Sequence, residues 1–416
     1  MGVAALGRAT DTTDRGWGMA DDAPVQPSLF DADNHYYEAR DAFTRHVPPR
    51  MAERTVMEVT VNGRVRHLIG GRLNHAVTNP TFDPVSKPGA LYAYFRGNPD
   101  GREIRELLSD SEPIRPEYRD PAARIAVMDA QQIEAAWLFP TLGVMYEEAL
   151  KHDPEAVGIA FRAFNRWLDE DWGLNYRGRV LAAPYISLAD VNWAVTELVW
   201  ALDHEARVVC VRPVAPTCAD GPCSPGDARF DPFWALANEA GIVVAVHGGE
   251  TGYSSHGYAS DGIEVFADRL TPLKLLLDEV NIERPIMDYL AAMICDRVFE
   301  RFPNLRMASI ENGSGYLSGL FARLRRLDRR LPGHFAEDPV KTFLQHVWIS
   351  PFWEERIEDV IDLVGPDRVL FGSDWPHVEG LPQPIQYLDE ITALDAGVRR
   401  QLVHDNADGL SSLRPA

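Results

Sequence analysis

The sequence predicts an α/β fold, a (β/α)8 TIM barrel with a β-hairpin-containing insertion after the first strand, and three observations carry that prediction. From about Ser28 onward, short apolar runs alternate with amphipathic segments, the pattern of parallel strands joined by crossover helices. Eight such runs can be distinguished, which is the number a closed barrel requires. No Gly-rich phosphate fingerprint follows the first run, and this separates the pattern from a doubly wound nucleotide-binding sheet.

The strands are expected at Leu29 to Asp33, Ala135 to Pro140, Val180 to Ile186, Val208 to Pro213, Ile242 to His247, Leu305 to Glu311, Val347 to Ser350 and Val369 to Asp374. Helical periodicity runs over Pro154 to Trp172, Asp190 to His204, Phe230 to Ala240, Ile286 to Arg301, Ser314 to Arg330 and Glu354 to Val364. An insertion from about Phe43 to Pro121 separates the first two strands. Within it, Val56 to Val61 and Arg64 to Ile69 flank Asn62-Gly63, which predicts a hairpin with a type I′ turn. The following Pro-, Asn- and Gly-rich loop carries Tyr92, Tyr94 and Phe95, either as a wall for an apolar substrate or as surface packing. Residues 1–27 lack the apolar segment of a signal peptide and are expected to be a mobile leader, with 28–416 as the barrel domain.

Charge and composition narrow the partners. Lys and Arg number 41 against 62 Asp and Glu, a formal net charge of −21 that repels nucleic acid and anionic membranes. No apolar run approaches the roughly 18 residues that span a bilayer. Four cysteines in 416 residues are too few for a disulfide framework, so reduced thiols in a cytoplasmic protein are expected. Cys218 and Cys223 share a Pro/Gly-rich loop but have no second ligand pair nearby, a weak signal for zinc.

The chemistry is concentrated at strand ends. Asp31, Asp33, His35 and Glu38 fall within eight residues, and on a strand the first three would share a face. Catalytic groups of such barrels lie at the carboxyl ends of strands. There the sequence places Asp33 and His35 on strand one, His247 on strand five, Glu311 on strand six and Asp374 on strand eight, each able to ligate a divalent metal. Each also has an ordinary reading. Asp374 suits a helix N-cap, His247 a core histidine, and Glu311 a buried partner for Arg306 or Arg212. Glu38, Glu250, His256, His377 and Glu379 fit a proton-transfer or second-metal role or plain loop packing, and Asp31 fits a supporting position behind the ligands.

The order Asp-x-His on strand one, His247 on strand five and Gly372-Ser373-Asp374-Trp375-Pro376-His377 on strand eight resembles the amidohydrolase-related metal enzymes from about Leu29 onward. The resemblance implies that Asp33 and His35 stand where many members carry His-x-His, that His247 and Asp374 are ligands, and that the reaction is hydrolysis or non-oxidative decarboxylation. Three features depart from it. Glu311 occupies the strand-six position where His is usual, strand four (Val208 to Arg212) offers no Lys for a carbamate bridge, and further ligands crowd the site.

The enlarged set is similar to the nonheme diiron monooxygenases with an amidohydrolase-like barrel, typified by platensimycin and platencin biosynthesis. That likeness implies two iron ions on Asp33, His35, His247, His256, Glu311 and Asp374, with Glu38 and His377 as catalytic groups. It also implies dioxygen, an electron donor and hydroxylation of an unactivated C–H bond in a substrate linked to coenzyme A. The alternative is a hydrolase or decarboxylase with one Zn or Mn on Asp33, His35, His247 and Asp374. A homodimer is expected because related barrels often pair.

Overall fold

A computed structural model describes residues 28–253 and 272–413. The predicted leader and His256 lie outside the described residues. Buried on both faces, as parallel barrel strands must be, the apolar runs form two parallel sheets. In the first, β1 (Leu29–Tyr36) pairs with β2 (Ile133–Pro140), which pairs with β3 (Val180–Ala182). In the second, β4 (Val208–Val211), β5 (Val243–His247), β6 (Arg306–Ile310) and β7 (Val347–Ile349) follow side by side.

Single bridges join the sheets at both seams. Tyr185 pairs with Cys210 between the end of β3 and β4. At the other seam, residues 369–375 bridge β7 through Ile349–Val369 and β1 through Asn34–Trp375, so the circuit of pairings returns to its start. The expected strand from Val369 to Asp374 is therefore an extended segment without a continuous ladder. Asp374 breaks it with a left-handed φ of 55°, and Pro376 has no N–H to donate. It is held instead by hydrogen bonds from Leu370 N to Ile349 O, Ala32 N to Phe371 O, and Asp374 N to Asp33 O, each 2.8 Å.

A register shift between Asp31 and Asn34 corrects another expectation. Three steps along β1 match two along β2, from Ala136 to Leu138, so the simple alternation that would align Asp31 with Asp33 and His35 is broken. Asp31 turns toward Ser373, whereas Asp33 and His35 face each other.

Helices follow the predicted periodicities, and side-chain caps set the starts of two of them. Asp153 accepts from Ala156 N ahead of Pro154–Asp171, and Asp190 accepts from Asn192 N and Trp193 N ahead of Val191–Asp203. The helix expected at Ile286 to Arg301 is instead Pro272–Cys295 and Val298–Arg301, divided where Arg297 takes a left-handed φ of 58°. Beyond the predicted helices lie Pro121–Ala130, Gly143–Leu150 and Pro339–His346, together with shorter ones such as Ile104–Leu108 and Asn406–Ser411. Among the described residues, no helix is long and apolar enough to cross a membrane.

Between β1 and β2, strands Val56–Val61 and Arg64–Ile69 form the expected hairpin, with Asn62 and Gly63 at φ 52° and 76° as a type I′ turn demands. Farther along, Gly89 N and Leu91 N donate to His377 O and Val378 O, which lays this stretch against the loop after Asp374. Tyr92 stacks on Trp353 at 4.9 Å rather than standing free.

Candidate metal centre

At the carboxyl ends of β1, β5 and β6 and in the segment 369–375, the predicted residues meet. His35 Nε2 lies 3.3 Å from Asp33 Oδ1, 3.7 Å from Glu311 Oε2 and 3.4 Å from Asp374 Oδ1. His247 Nε2 lies 3.5 Å from Asp33 Oδ1 and 3.4 Å from Glu311 Oε2. One ligand atom from each of Asp33, His35, His247 and Glu311 lies within 4.8 Å of the others. His35, Asp374 and His377 form an overlapping group, as do Glu311, Asp374, His377 and Glu379.

The backbone builds this convergence at a local conformational cost. Glu311 and Asp374 both sit at φ 55°, a left-handed conformation that non-glycine residues rarely adopt and that clusters at functional sites. Glycines allow the close approach beside them. A Cβ on Gly248 would collide with the Glu311 carbonyl oxygen, and one on Gly372 would lie 2.5 Å from both Asp33 Cβ and Ser350 Oγ.

Ring orientations expose nitrogen lone pairs to the centre. His247 Nδ1 lies 2.8 Å from Gly248 O, so it carries the proton and leaves Nε2 free. Thr141 Oγ1 gives its one proton to Tyr36 O at 2.8 Å, so its 2.9 Å contact with His377 Nε2 uses a proton of the imidazole. His377 Nδ1 then faces Asp374 Oδ1 at 2.7 Å, and the His377 ring stacks on His35 with centroids 4.0 Å apart.

Electrostatics show how ill-matched these groups are to one another alone. Burial, then the charge of Glu379 and of Asp33, pushes the Asp374 carboxyl well above its usual range. Burial and Asp374 do the same to Glu311. Burial would raise Asp33 too, but the His247 and His35 imidazoles pull it below the usual carboxylate range. His35 is driven down to about 3 by burial and His377, which keeps it neutral and able to ligate.

The decisive feature is the absence of hydrogen bonds where they would be obligatory. Asp33 Oδ1, His35 Nε2, His247 Nε2, Asp374 Oδ1 and His377 Nδ1 are buried and make none. Unpaired buried polar atoms are costly, and native proteins keep few of them. Five of them aimed at one another, carboxylate against imidazole, could hold a divalent cation.

Other predicted residues are placed elsewhere. Glu38 belongs to none of the ligand groups. Its Oε1 accepts from Leu142 N at 2.7 Å and Gly143 N at 3.1 Å, capping the start of Gly143–Leu150, and burial raises its carboxyl to about 7. Glu250 turns back to accept from Gly252 N at 2.7 Å. Arg212, the suggested partner of Glu311, pairs with Glu147 and Glu148.

Behind the candidate ligands stands support, anticipated for Asp31 and unannounced for Arg124. Asp31 accepts from Ser373 N, Ser373 Oγ, Asn34 Nδ2 and Asp33 N, at 2.5–3.2 Å, and so ties β1 to the segment bearing Asp374. Arg124 is 1% exposed, donates to His35 O at 2.7 Å and to Asn34 Oδ1, and lies over the Trp375 ring. The Asp120-Pro121 cap was a legible signal for its helix, but nothing in the sequence says that Arg124 points inward.

The family model described as amidohydrolase (Amidohydro_2) matches residues 75–410. The chain belongs to this family. Its fold is the TIM barrel, and the circuit of pairings described above fits it. The match begins after β1, so Asp33 and His35 lie outside the matched residues.

Among solved structures, the amidohydrolase map2389c from Mycobacterium avium subsp. paratuberculosis K-10 is 41% identical, with a TM-score of 0.87 over 93% of this chain and 100% of that one. A 2,6-dihydroxybenzoate decarboxylase from Rhizobium is 20% identical, with a TM-score of 0.53 over 69% and 87%. A dihydroxybenzoic acid decarboxylase from Polaromonas sp. JS666, with bound manganese and the inhibitor 2-nitroresorcinol, is 17% identical, with a TM-score of 0.54 over 77% and 93%. No curated protein matches the chain.

The matching family and the 41% identical structure are amidohydrolases, so the expectation of a diiron monooxygenase finds no support in them, while the two decarboxylases share the fold. The alternative of an amidohydrolase-family enzyme fits better. A carboxylate-rich set of donors does not single out iron, since the same donors also suit manganese and zinc.

Proposed function

We propose that the protein is a metal-dependent hydrolase or non-oxidative decarboxylase built on a mononuclear site of Asp33, His35, His247 and Asp374. The observation that carries this reading is the set of buried, unpartnered ligand atoms at the barrel's carboxyl ends. A lysine that could bridge two ions as a carbamate is missing from β4, whose four residues are Val208, Val209, Cys210 and Val211. That absence favours one ion over two.

A divalent ion held there supplies Lewis acidity, which polarises an acyl or carboxylate oxygen and acidifies a water. The chain's own residues do the rest. Asp33 and Asp374 bring the negative charge that retains the ion, and His35 and His247 complete the set. Glu311, whose side chain is 24% exposed, reaches the same centre from the open side and is positioned to hold a proton near the reacting group. His377 keeps its Nε2 proton on Thr141 and presents Nδ1 to the centre, where it can accept and return a proton.

Metal analysis of protein purified without chelators tests the reading: about one Mn or Zn per chain is expected at a site of this kind. Substrate-dependent oxygen consumption with two irons per chain would reject it.

A second reading, the diiron oxygenase, keeps one specific observation. Glu311, Asp374, His377 and Glu379 form a further group of possible ligands that shares Glu311 with the group of Asp33, His35 and His247 and shares Asp374 with the proposed site. The same metal analysis and oxygen measurement decides between them.

A further inference from the structure

Outside the metal centre, the structure brings two thiols together that the proposed reaction does not use. Thr217–Cys218 and Gly221–Pro222 pair as a short antiparallel hairpin in the connection that follows β4. Cys218 Sγ and Cys223 Sγ lie 3.1 Å apart, and both residues are half-buried free cysteines. Cys223 N donates to Pro216 O at 3.0 Å, which pins Cys223 across from the first strand of the hairpin. The sulfurs need to close by only about 1 Å to reach bonding distance, within reach of a side-chain rotation.

We propose that Cys218 and Cys223 are a reversible disulfide site, oxidised by exchange with a low-molecular-weight disulfide. Cys218, as thiolate, attacks one sulfur of that disulfide, forming a mixed disulfide and expelling one small thiolate. Cys223 gives up its proton and attacks the Cys218 sulfur, expelling the second. Two protein thiols lose two electrons and two protons, and the small disulfide gains both to become two thiols. Burial and the neighbouring Cys218 sulfur push Cys223 up to about 12 in the reduced pair, which disfavours it as the first attacker.

The bond would act on the wall of a cavity. Leu188, Val214 and Pro216 line a small cavity beside Arg212 and Tyr289. The pair touches that wall twice, with Cys218 Sγ 3.9 Å from Leu188 O and Cys223 Sγ 3.6 Å from Pro216 O. Oxidation therefore closes the hairpin on itself beside that wall. The inference does not depend on which metal the centre holds.

The test is oxidation of the full-length, reduced protein with glutathione disulfide, followed by intact and peptide mass spectrometry. The expected result is loss of two hydrogen masses, a link between Cys218 and Cys223, and reversal by dithiothreitol. Cys223→Ser should stop at a glutathione adduct on Cys218, whereas Cys295→Ser should behave as the parent protein. A stable glutathione adduct in the unaltered protein would overturn the proposal. So would full alkylation of both cysteines after oxidation, or a link from either to Cys295.

Discussion

Two buried clusters of charge stand at the carboxyl end of the strands and meet opposite fates. Around Arg212, just past β4, every charge is answered: Arg212 pairs with Glu147 and Glu148, Tyr185 Oη donates to Glu147 Oε2, and Ser187 Oγ donates to Glu147 Oε1 at 2.7 Å. Around Asp33, His35, His247 and Asp374, the facing atoms are as deeply buried and make no hydrogen bond. Burial alone therefore does not mark a site. A buried cluster that satisfies itself is architecture, and one that cannot do so is built around something else.

The largest effect should come from emptying the unanswered cluster. His247→Ala and Asp33→Asn are expected to lose the metal and reduce turnover to background, read by elemental analysis and by assay with and without added Mn or Zn. Chelation should lower the melting temperature of the parent protein but not of His247→Ala. An ion present at about a hundred times its dissociation constant stabilises by about 2.7 kcal/mol. If His247→Ala retained its metal and its chelator response, the assignment of this cluster would fail.

Breaking the answered cluster should do the reverse. Arg212→Met removes the cation facing buried Glu147, which keeps Tyr185 and Ser187, and half-buried Glu148, which keeps Lys151, and is expected to cost about 3 kcal/mol in unfolding free energy, measured by denaturant titration. Metal content per folded chain should stay at the parent level. Loss of metal without loss of stability would mean that Arg212 belongs to the centre after all.

How far the sequence could be read follows the same division. Apolar runs announce strands because burial on both faces leaves no alternative, so β5 and its terminal His247 were legible from Ile242-Val243-Val244-Ala245-Val246 alone. The segment 369–375 was legible as a strand but not as a bridged one, because the left-handed turn at Asp374 comes from the closing of the barrel and not from local propensity. Asp33, His35, His247, Glu311 and Asp374 could be placed at one end because strand order fixes it. The supporting position of Asp31 was legible, but its departure from the face of Asp33 and His35 was not, because the register shift shows only in the pairing with β2. Arg124 and Thr141 left no signal, since their roles depend on which neighbours the fold brings to them.

Glu38 lies between the two clusters and tests the boundary. One oxygen is answered by the amides of Leu142 and Gly143, while Oε2 is buried and unpartnered. Its carboxyl rises from the usual 4.5 to about 7. A raised carboxyl binds its proton more tightly when folded, so stability is full below about pH 4.5 and falls as pH rises toward 7. Each unit of such a shift is worth about 1.4 kcal/mol. Glu38→Gln keeps the acceptor for both amides and removes the titration, so its unfolding free energy should decline less between those pH values. Asp31, raised from 3.8 to about 7 by burial, titrates in the same window and leaves a residual slope. A fall in metal content in Glu38→Gln would instead move Glu38 into the centre.

The smallest expected effect on stability, and the finest test of the comparison, is at Thr141. Its hydroxyl links an answered backbone oxygen, Tyr36 O, to His377, whose Nδ1 is among the unanswered atoms. Thr141→Val keeps the shape and removes both hydrogen bonds, which should cost about 1–3 kcal/mol because two buried polar groups lose their partner. Metal content should not change. The proton on His377 is then no longer held at Nε2, so the imidazole can place it on Nδ1, facing Asp374. If His377 serves the reaction through Nδ1, kcat should fall and its pH profile change shape while KM stays near the parent value. An unaltered pH profile would leave Thr141 a packing residue and return His377 to the architecture around the centre.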